Sequence, residues 1–203
     1  MYLVKQKFPL ISVLRVGQIM DSYAVARKIE QASEESIRNV CMRFYAIQNG
    51  KDIWISGEEF NNAGGMREFL EDFVHLEEKV IDELCDRDYE VIATEGDCLE
   101  LSFVNGEFDW EKFGLITRAL EDYPEDVVRA ACNCGVALDK LSEQYKGHYK
   151  SFVAFVEEEW DEMYMSQVPE FMQNYIDYEK IAADWDGDGT YIYEEGYVFN
   201  ENV

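Results

Sequence analysis

The chain has 203 residues, 47% hydrophobic and 14% aromatic, enough apolar material for one to three small packed domains and too much for a disordered acidic tail. Its 43 acidic and 18 basic residues leave a formal net charge of −25, which repels nucleic acid and anionic lipid and excludes binding to either through a basic patch. Expected partners are cationic, either metal ions or proteins with basic grooves.

The first fifty residues hold seven basic and four acidic residues, net +3. The apolar run at 8–14 is cut short by Arg15, well under the roughly 18 residues of a membrane span, and no small-residue cleavage site follows it. Five cysteines, an odd number, and the absence of an Asn-x-Ser/Thr sequon favour a reducing, cytoplasmic setting. A helix is expected over 23–32, followed by strands at 43–48, 52–56, 89–93 and 99–103. Asn49-Gly50 and Asn105-Gly106 sit where hairpins would close, and Asn61-Asn62-Ala63-Gly64-Gly65 reads as a loop.

Residues 51–100 carry four basic against sixteen acidic residues, net −12. Within them Met66, Phe69, Leu70, Phe73, Leu76, Val80, Ile81 and Leu84 recur at helical spacing, so a helix over 66–84 is expected with one face on a core. Its other face holds Glu68, Glu71, Asp72, Glu77, Glu78, Asp82 and Glu83. A continuous helix would spread these over roughly 24 Å, about one charge per 3.4 Å, the axial density of phosphates on one DNA strand. Arg67 and Lys79 dilute that field, and an ordinary solvated helix face is the alternative reading.

Residues 101–150 are nearly balanced, six basic against nine acidic, whereas 151–203 hold one basic residue against fourteen acidic, net −13. Helices are expected over 110–121, 124–134, 137–145, 151–164 and 168–183, the last with a break near Asp177. A terminal hairpin is expected over 190–199 after an Asp-Gly-Asp-Gly turn. Glu157, Glu158, Glu159, Asp161 and Glu162 fall in the C-terminal half of their helix, where the macrodipole disfavours negative charge. Glu157 with Asp161, and Glu158 with Glu162, are like-charge i,i+4 pairs, each costing roughly 0.2–0.5 kcal/mol. Local stability does not account for such a cluster, so a role elsewhere is expected. The predicted fold class is α+β: an N-terminal unit of mixed helices and strands over 1–103, a small helical unit over 104–141, and an acidic helical unit with its hairpin over 142–203.

The last sixty residues resemble the C-terminal region of ArdA-type antirestriction proteins. The resemblance is carried by Tyr145-Lys-Gly-His-Tyr149, the acidic helix at 152–162, Val168-Pro-Glu-Phe171, Tyr175-Ile-Asp-Tyr-Glu179, Ala182-Ala-Asp-Trp185 and Gly196-Tyr-Val-Phe199. A weaker similarity reaches back to Asp109, while 1–103 departs from the recognised pattern. The resemblance implies an elongated, curved, acidic protein of small domains that dimerises and occupies the DNA groove of type I restriction-modification enzymes. It would thereby spare incoming mobile DNA, without catalysis or cofactor. By position, Glu157, Glu158, Glu159, Asp161 and Glu162 with Trp160, and the segment holding Glu170, Asp177 and Glu179, correspond to the family's antirestriction region. Glu68, Glu71, Asp72, Glu78 and Asp82 join them as candidate phosphate mimics.

One rival constellation is Asp184-x-Asp186-x-Asp188-Gly189-x5-Glu195, a formal match to a twelve-residue calcium loop. A helix-loop-helix site also needs an exit helix, and the residues after Glu195 favour a strand, so a cation-responsive acidic protein is kept as the alternative function. Cys132-x-Cys134 lacks the spacing of zinc knuckles, His75 is expected on the polar side of the acidic helix, and His148 in a Lys-rich loop. No hydrolase elbow, phosphate loop, dinucleotide fingerprint or zincin motif occurs, and no metal or cofactor is expected.

Overall fold

The computed structural model describes residues 22–47 and 50–201, so the apolar run at 8–14 and Asn49 lie outside the described residues. Helix α1, Ser22–Ala32, turns Val25, Ala26 and Ile29 inward at helical spacing. It packs beside an antiparallel sheet of order β2-β1-β3, built from β1 (Val40–Phe44), β2 (Asp52–Ile55) and β3 (Tyr89–Thr94). Val40, Met42 and Phe44 share one buried face, while Arg43 points outward and pairs with Asp52 at 2.8 Å. The strand expected at 43–48 therefore begins earlier and stops at Phe44, where the Ile47 amide bonds back to the Phe44 carbonyl at 3.1 Å and turns the chain.

The expected loop at 61–65 is instead the end of helix α2, Gly57–Ala63. Ser56 Oγ accepts from the Glu59 amide at 3.2 Å, a helix start that Ser56-x-x-Glu59 encodes, and left-handed Gly64 ends the helix. Gly57 is required by proximity, because a Cβ there would lie 2.4 Å from Val40 Cγ2 and 2.5 Å from Phe113 Cζ. Phe60 stacks on Trp110 with centroids 4.4 Å apart, tying α2 to the next helical layer.

The helix expected over 66–84 is broken. It divides into α3 (Met66–Glu68), a π turn at Phe69–Phe73 and α4 (Glu78–Cys85). Beyond β3, the strand expected at 99–103 is largely a 3-10 turn, Leu99–Ser102, which leaves only β4 (Phe103–Val104) to pair with β5 (Glu107–Phe108). Asn105 and Gly106, both at positive φ, close that hairpin as expected.

Helix α5, Trp110–Asp122, is capped by Asp109, whose carboxylate accepts from the Lys112 amide at 2.9 Å; α6, Glu125–Cys134, follows Pro124. The helix expected over 137–145 shortens to a 3-10 turn, Leu138–Lys140, and α7, Leu141–Gln144. It ends because Tyr145–His148 forms strand β6, in which Gly147 takes a φ of 132° incompatible with a helix. His148 thus lies on a strand rather than in a loop. Then come α8 (Phe152–Tyr164), α9 (Glu170–Gln173), α10 (Tyr178–Asp188) and the hairpin β7 (Tyr191–Glu194) to β8 (Tyr197–Asn200).

In the C-terminal sheet, order β6-β8-β7, the central strand β8 packs on both faces. Tyr197 and Phe199 join the large core that runs from Val25 to Leu141, whereas Val198 between them joins Phe155, Val156 and Ala182 beneath α8 and α10. Alternation along one strand thereby fixes the acidic helix against the rest of the molecule. Asp126 at the start of α6 reinforces the junction by accepting from the Tyr197 hydroxyl at 2.5 Å.

Candidate functional site

Two acidic stretches can be followed from sequence to surface. In the first, Glu68, Glu71, Asp72, Glu77, Glu78, Asp82 and Glu83 are all exposed, as their spacing predicts. They do not lie on one rod. The Val74 amide reaches the Phe69 carbonyl at 3.2 Å, the Leu76 amide reaches Leu70, and His75 is left-handed at φ 54°. The break keeps Phe69, Leu70, Val74 and Leu76 buried while redirecting the carboxylates on either side. Glu71, Asp72 and Glu78 therefore have no common helical axis, and the even phosphate-like spacing of a straight helix is absent here. Asp82 is also partly neutralised by Arg67 at 2.5 Å across the break. His75 sits in the break and not on a helix face, with Nδ1 3.1 Å from the Glu71 carbonyl.

The second stretch is more concentrated. Ser151 caps α8 by accepting from the Ala154 amide at 3.2 Å, and Phe155 and Val156 anchor the helix in the core. On its outward surface Glu157, Glu158 and Glu162 are exposed and Glu159 and Asp161 half-buried. The structure thus retains both unfavourable like-charge pairs, in the half of the helix where the dipole opposes them.

The field around α8 is felt by its tyrosines. Burial, the Asp161 hydrogen bond at 2.5 Å, and the charges of Asp161 and Glu157 push the Tyr178 hydroxyl up to about 12. Burial followed by Glu158 and Glu159 raises Tyr149, and burial followed by Glu159 raises Tyr191. Lys180 is the single Lys or Arg between residues 151 and 203.

Three further candidates have a local structural role. Glu170 and Glu179 occupy the first turns of α9 and α10, where negative charge is favoured. Asp177 caps α10, accepting from the Lys180 amide at 3.1 Å. These placements explain their presence without reference to a partner, unlike Glu157 and Glu162, while Glu158 accepts from the Tyr149 hydroxyl.

The calcium-loop pattern is not folded as a loop. Asp184 and Asp186 lie within α10, where residues two apart point about 200° from each other, and Asp188 is its last residue. Ile181, Ala182 and Trp185 hold this segment helical by packing toward α8, and the chain turns only at left-handed Gly189. Glu195 sits in the tight turn between β7 and β8 at φ 51°. Among the described residues no group of three His, Cys, Asp or Glu side chains could hold a metal ion. The five cysteines are free thiols, and burial pushes Cys98 up to about 12, so it behaves as an apolar residue.

A polar depression lined by Glu35, Arg38, Asn39, Ser56, Glu58 and Glu95 has its central groups already engaged. Arg38 Nε donates to the Ser33 carbonyl at 3.0 Å, and Asn39 Oδ1 accepts from the Gly57 amide at 2.9 Å.

One feature near α8 is not legible from periodicity. The helix expected over 168–183 would bury its apolar residues, yet Phe171 is 75% exposed and Tyr175 85%. The cause is local: α9 lasts four residues, and the chain turns between Gln173 and Asp177 before α10 begins.

The sequence model of the antirestriction protein (ArdA) family matches residues 15–199, nearly the whole chain, and so extends the resemblance back through the N-terminal α+β region. No curated protein matches the chain. Among the described residues no helix is long and apolar enough to cross a membrane.

Proposed function

Because the chain belongs to the ArdA antirestriction family, we propose that it acts as a decoy for DNA, occupying the DNA-binding groove of type I restriction-modification enzymes and sparing incoming mobile DNA. The observation that carries this reading is the carboxylate cluster of α8. Glu157 and Glu162 are exposed without a capping or ion-pairing role, Glu158 is exposed and accepts from the Tyr149 hydroxyl, and all three stand where helix electrostatics opposes them. Residues that weaken their own helix are retained for what they meet outside it.

The mechanism needs Coulomb attraction and shape. Lys and Arg side chains that line a DNA channel meet carboxylates in place of phosphates, with no base to read and no bond to break. A net charge of −25 equals the phosphates of about 12–13 base pairs, and a homodimer would double that length. In this reading the chain works as a homodimer and without a cofactor. The packing of β8 into both cores under α8 supports it by holding the cluster in place, so that the charges present a fixed pattern.

The test is competition. Stoichiometric protein should displace a labelled DNA duplex from a purified type I restriction-modification enzyme, with potency falling as salt rises. Undiminished DNA binding in a large molar excess of the protein would reject the decoy reading.

A further inference from the structure

An asparagine side chain can be attacked at its amide carbon by the backbone nitrogen of the next residue, so its chemical lifetime depends on what surrounds that nitrogen. Elsewhere in the described residues the nitrogen is engaged or crowded. Asn61, Asn62 and Asn133 lie in α2 and α6, where the following amide belongs to the helix ladder. The amide after Asn174 donates to the Met172 carbonyl at 3.0 Å, and the one after Asn200 donates to Thr190 at 2.9 Å. Asn39 precedes β-branched Val40, which is fully buried. Asn105 differs in each respect. Its neighbour is Gly106, whose nitrogen has no Cβ beside it and donates to no acceptor among the described residues. A Cβ placed on Gly106 would meet nothing within 4 Å, and Val104, Asn105, Gly106 and Glu107 are all exposed. The ladder below the turn is two pairs long, Phe103 with Phe108 and Val104 with Glu107. The tip can therefore rotate while Phe108 stays packed on Trp110 and Phe113.

We propose that Asn105 is a modification site, deamidated spontaneously in the folded protein. The Gly106 nitrogen loses its proton and bonds to Asn105 Cγ, the bond from Cγ to the side-chain nitrogen breaks, and that nitrogen leaves with the proton as ammonia. Water then opens the five-membered imide at either of its carbonyls, leaving aspartate or isoaspartate. The sum consumes a water and releases an ammonia, with no oxidant, reductant or enzyme. Each event adds a negative charge beside Glu107. Aspartate keeps the turn, since it tolerates left-handed backbone as asparagine does, whereas isoaspartate lengthens the backbone and unseats the two-pair ladder. The site bears on a chain rich in negative charge and does not depend on the decoy reading.

The experiment is peptide mapping by mass spectrometry of the full chain held at 37 °C and pH 8.5, against an unincubated control. Tryptic peptide 88–112 has Asn105 as its single side-chain amide, so a conversion there has one source. It should convert to a mixture of aspartate and isoaspartate about tenfold or more faster than the peptides holding Asn61, Asn62, Asn133, Asn174 and Asn200, a barrier lower by at least about 1.4 kcal/mol. The rate should rise with pH, because the attacking nitrogen must lose its proton. N105G, whose Gly-Gly turn suits the same hairpin, should leave peptide 88–112 unchanged in mass and the other asparagines at their wild-type rates. Matching melting curves for the two proteins establish that the fold is intact. Conversion of peptide 88–112 no faster than that of the other asparagine peptides, or no conversion at all, would overturn the site. So would fast conversion to aspartate without isoaspartate, which direct hydrolysis gives and a cyclic imide does not.

Discussion

Tyr178 shows how a carboxylate of the acidic surface takes on structural work. Its hydroxyl donates to Asp161 at 2.5 Å, joining α10 to α8. Tyr197 does the same with Asp126 between β8 and α6, and that bond, followed by burial, also raises its hydroxyl to about 12. Both folded values exceed the ordinary 10.0, so the fold favours the neutral phenols. Their stabilisation is whole below about pH 10 and is lost as pH rises through 12. Denaturant melts at pH 9 and pH 11.5 should show this loss in the wild type, and Y178F/Y197F should show less of it. Y178F alone should lower stability at neutral pH by about 1 kcal/mol. Steric control is equally local at Gly57, where Gly57→Ala forces a methyl group onto Val40 and Phe113 and should cost roughly 2 kcal/mol or more, measured by urea unfolding.

At the level of elements, α8 is stabilised at one end and opposed at the other. Ser151 caps its start, Phe155 and Val156 fix its inner face, and the carboxylates crowd its C-terminal half. Glu162→Lys would turn one like-charge pair into an attractive one with Glu158 and place a cation at the favoured end. It should therefore raise thermal stability, by about 0.5–1 kcal/mol, and at the same time weaken inhibition of the restriction enzyme. A variant that gained stability with full inhibitory potency would show that α8 does not meet the partner.

The same scale shows what was legible in the sequence. Helices with a capping residue and an unbroken apolar period, such as α5 and α8, were readable to within a residue or two. The terminal hairpin was readable too, through the aromatic and β-branched run that forms β7 and β8. The break at 74–77 was not, because Val74 and Leu76 continue the helical period while being buried by a turn of the chain. Nor was the start of β6, where pairing of Tyr145 with Phe199, distant in sequence, overrides local helix preference. In the candidate site, the exposure of Glu157, Glu158 and Glu162 was legible from charge order along α8. The exposed rings of Phe171 and Tyr175 were missed, since period cannot tell a short helix followed by a turn from a long buried one.

Across the whole molecule, negative charge is poorly compensated. Among the described residues the ion pairs include Arg43 with Asp52, Lys51 with Glu30, Arg67 with Asp82, and Arg129 with Glu100 and Glu125, all at least partly solvated. Such pairs contribute little, so repulsion among the remaining carboxylates dominates the response to ionic strength. Raising salt from 0.05 to 0.5 M, which shortens the screening length from more than about 10 Å to less than half that, should raise the melting temperature while weakening inhibition. The opposite signs follow from one cause, since screening relieves repulsion within the fold and attraction to the partner alike.

Position and total charge can be separated directly. The triple variant E157Q/E158Q/E162Q on α8 and the control E111Q/E121Q/E143Q, at exposed sites elsewhere, each remove three negative charges. Their potencies should be compared in DNA competition on a type I restriction-modification enzyme. The α8 variant should lose at least about tenfold in potency and the control little, because charges in contact with the partner count for more than charges beyond a screening length. Equal losses, or none in either variant, would contradict the assignment of the DNA-like surface to α8.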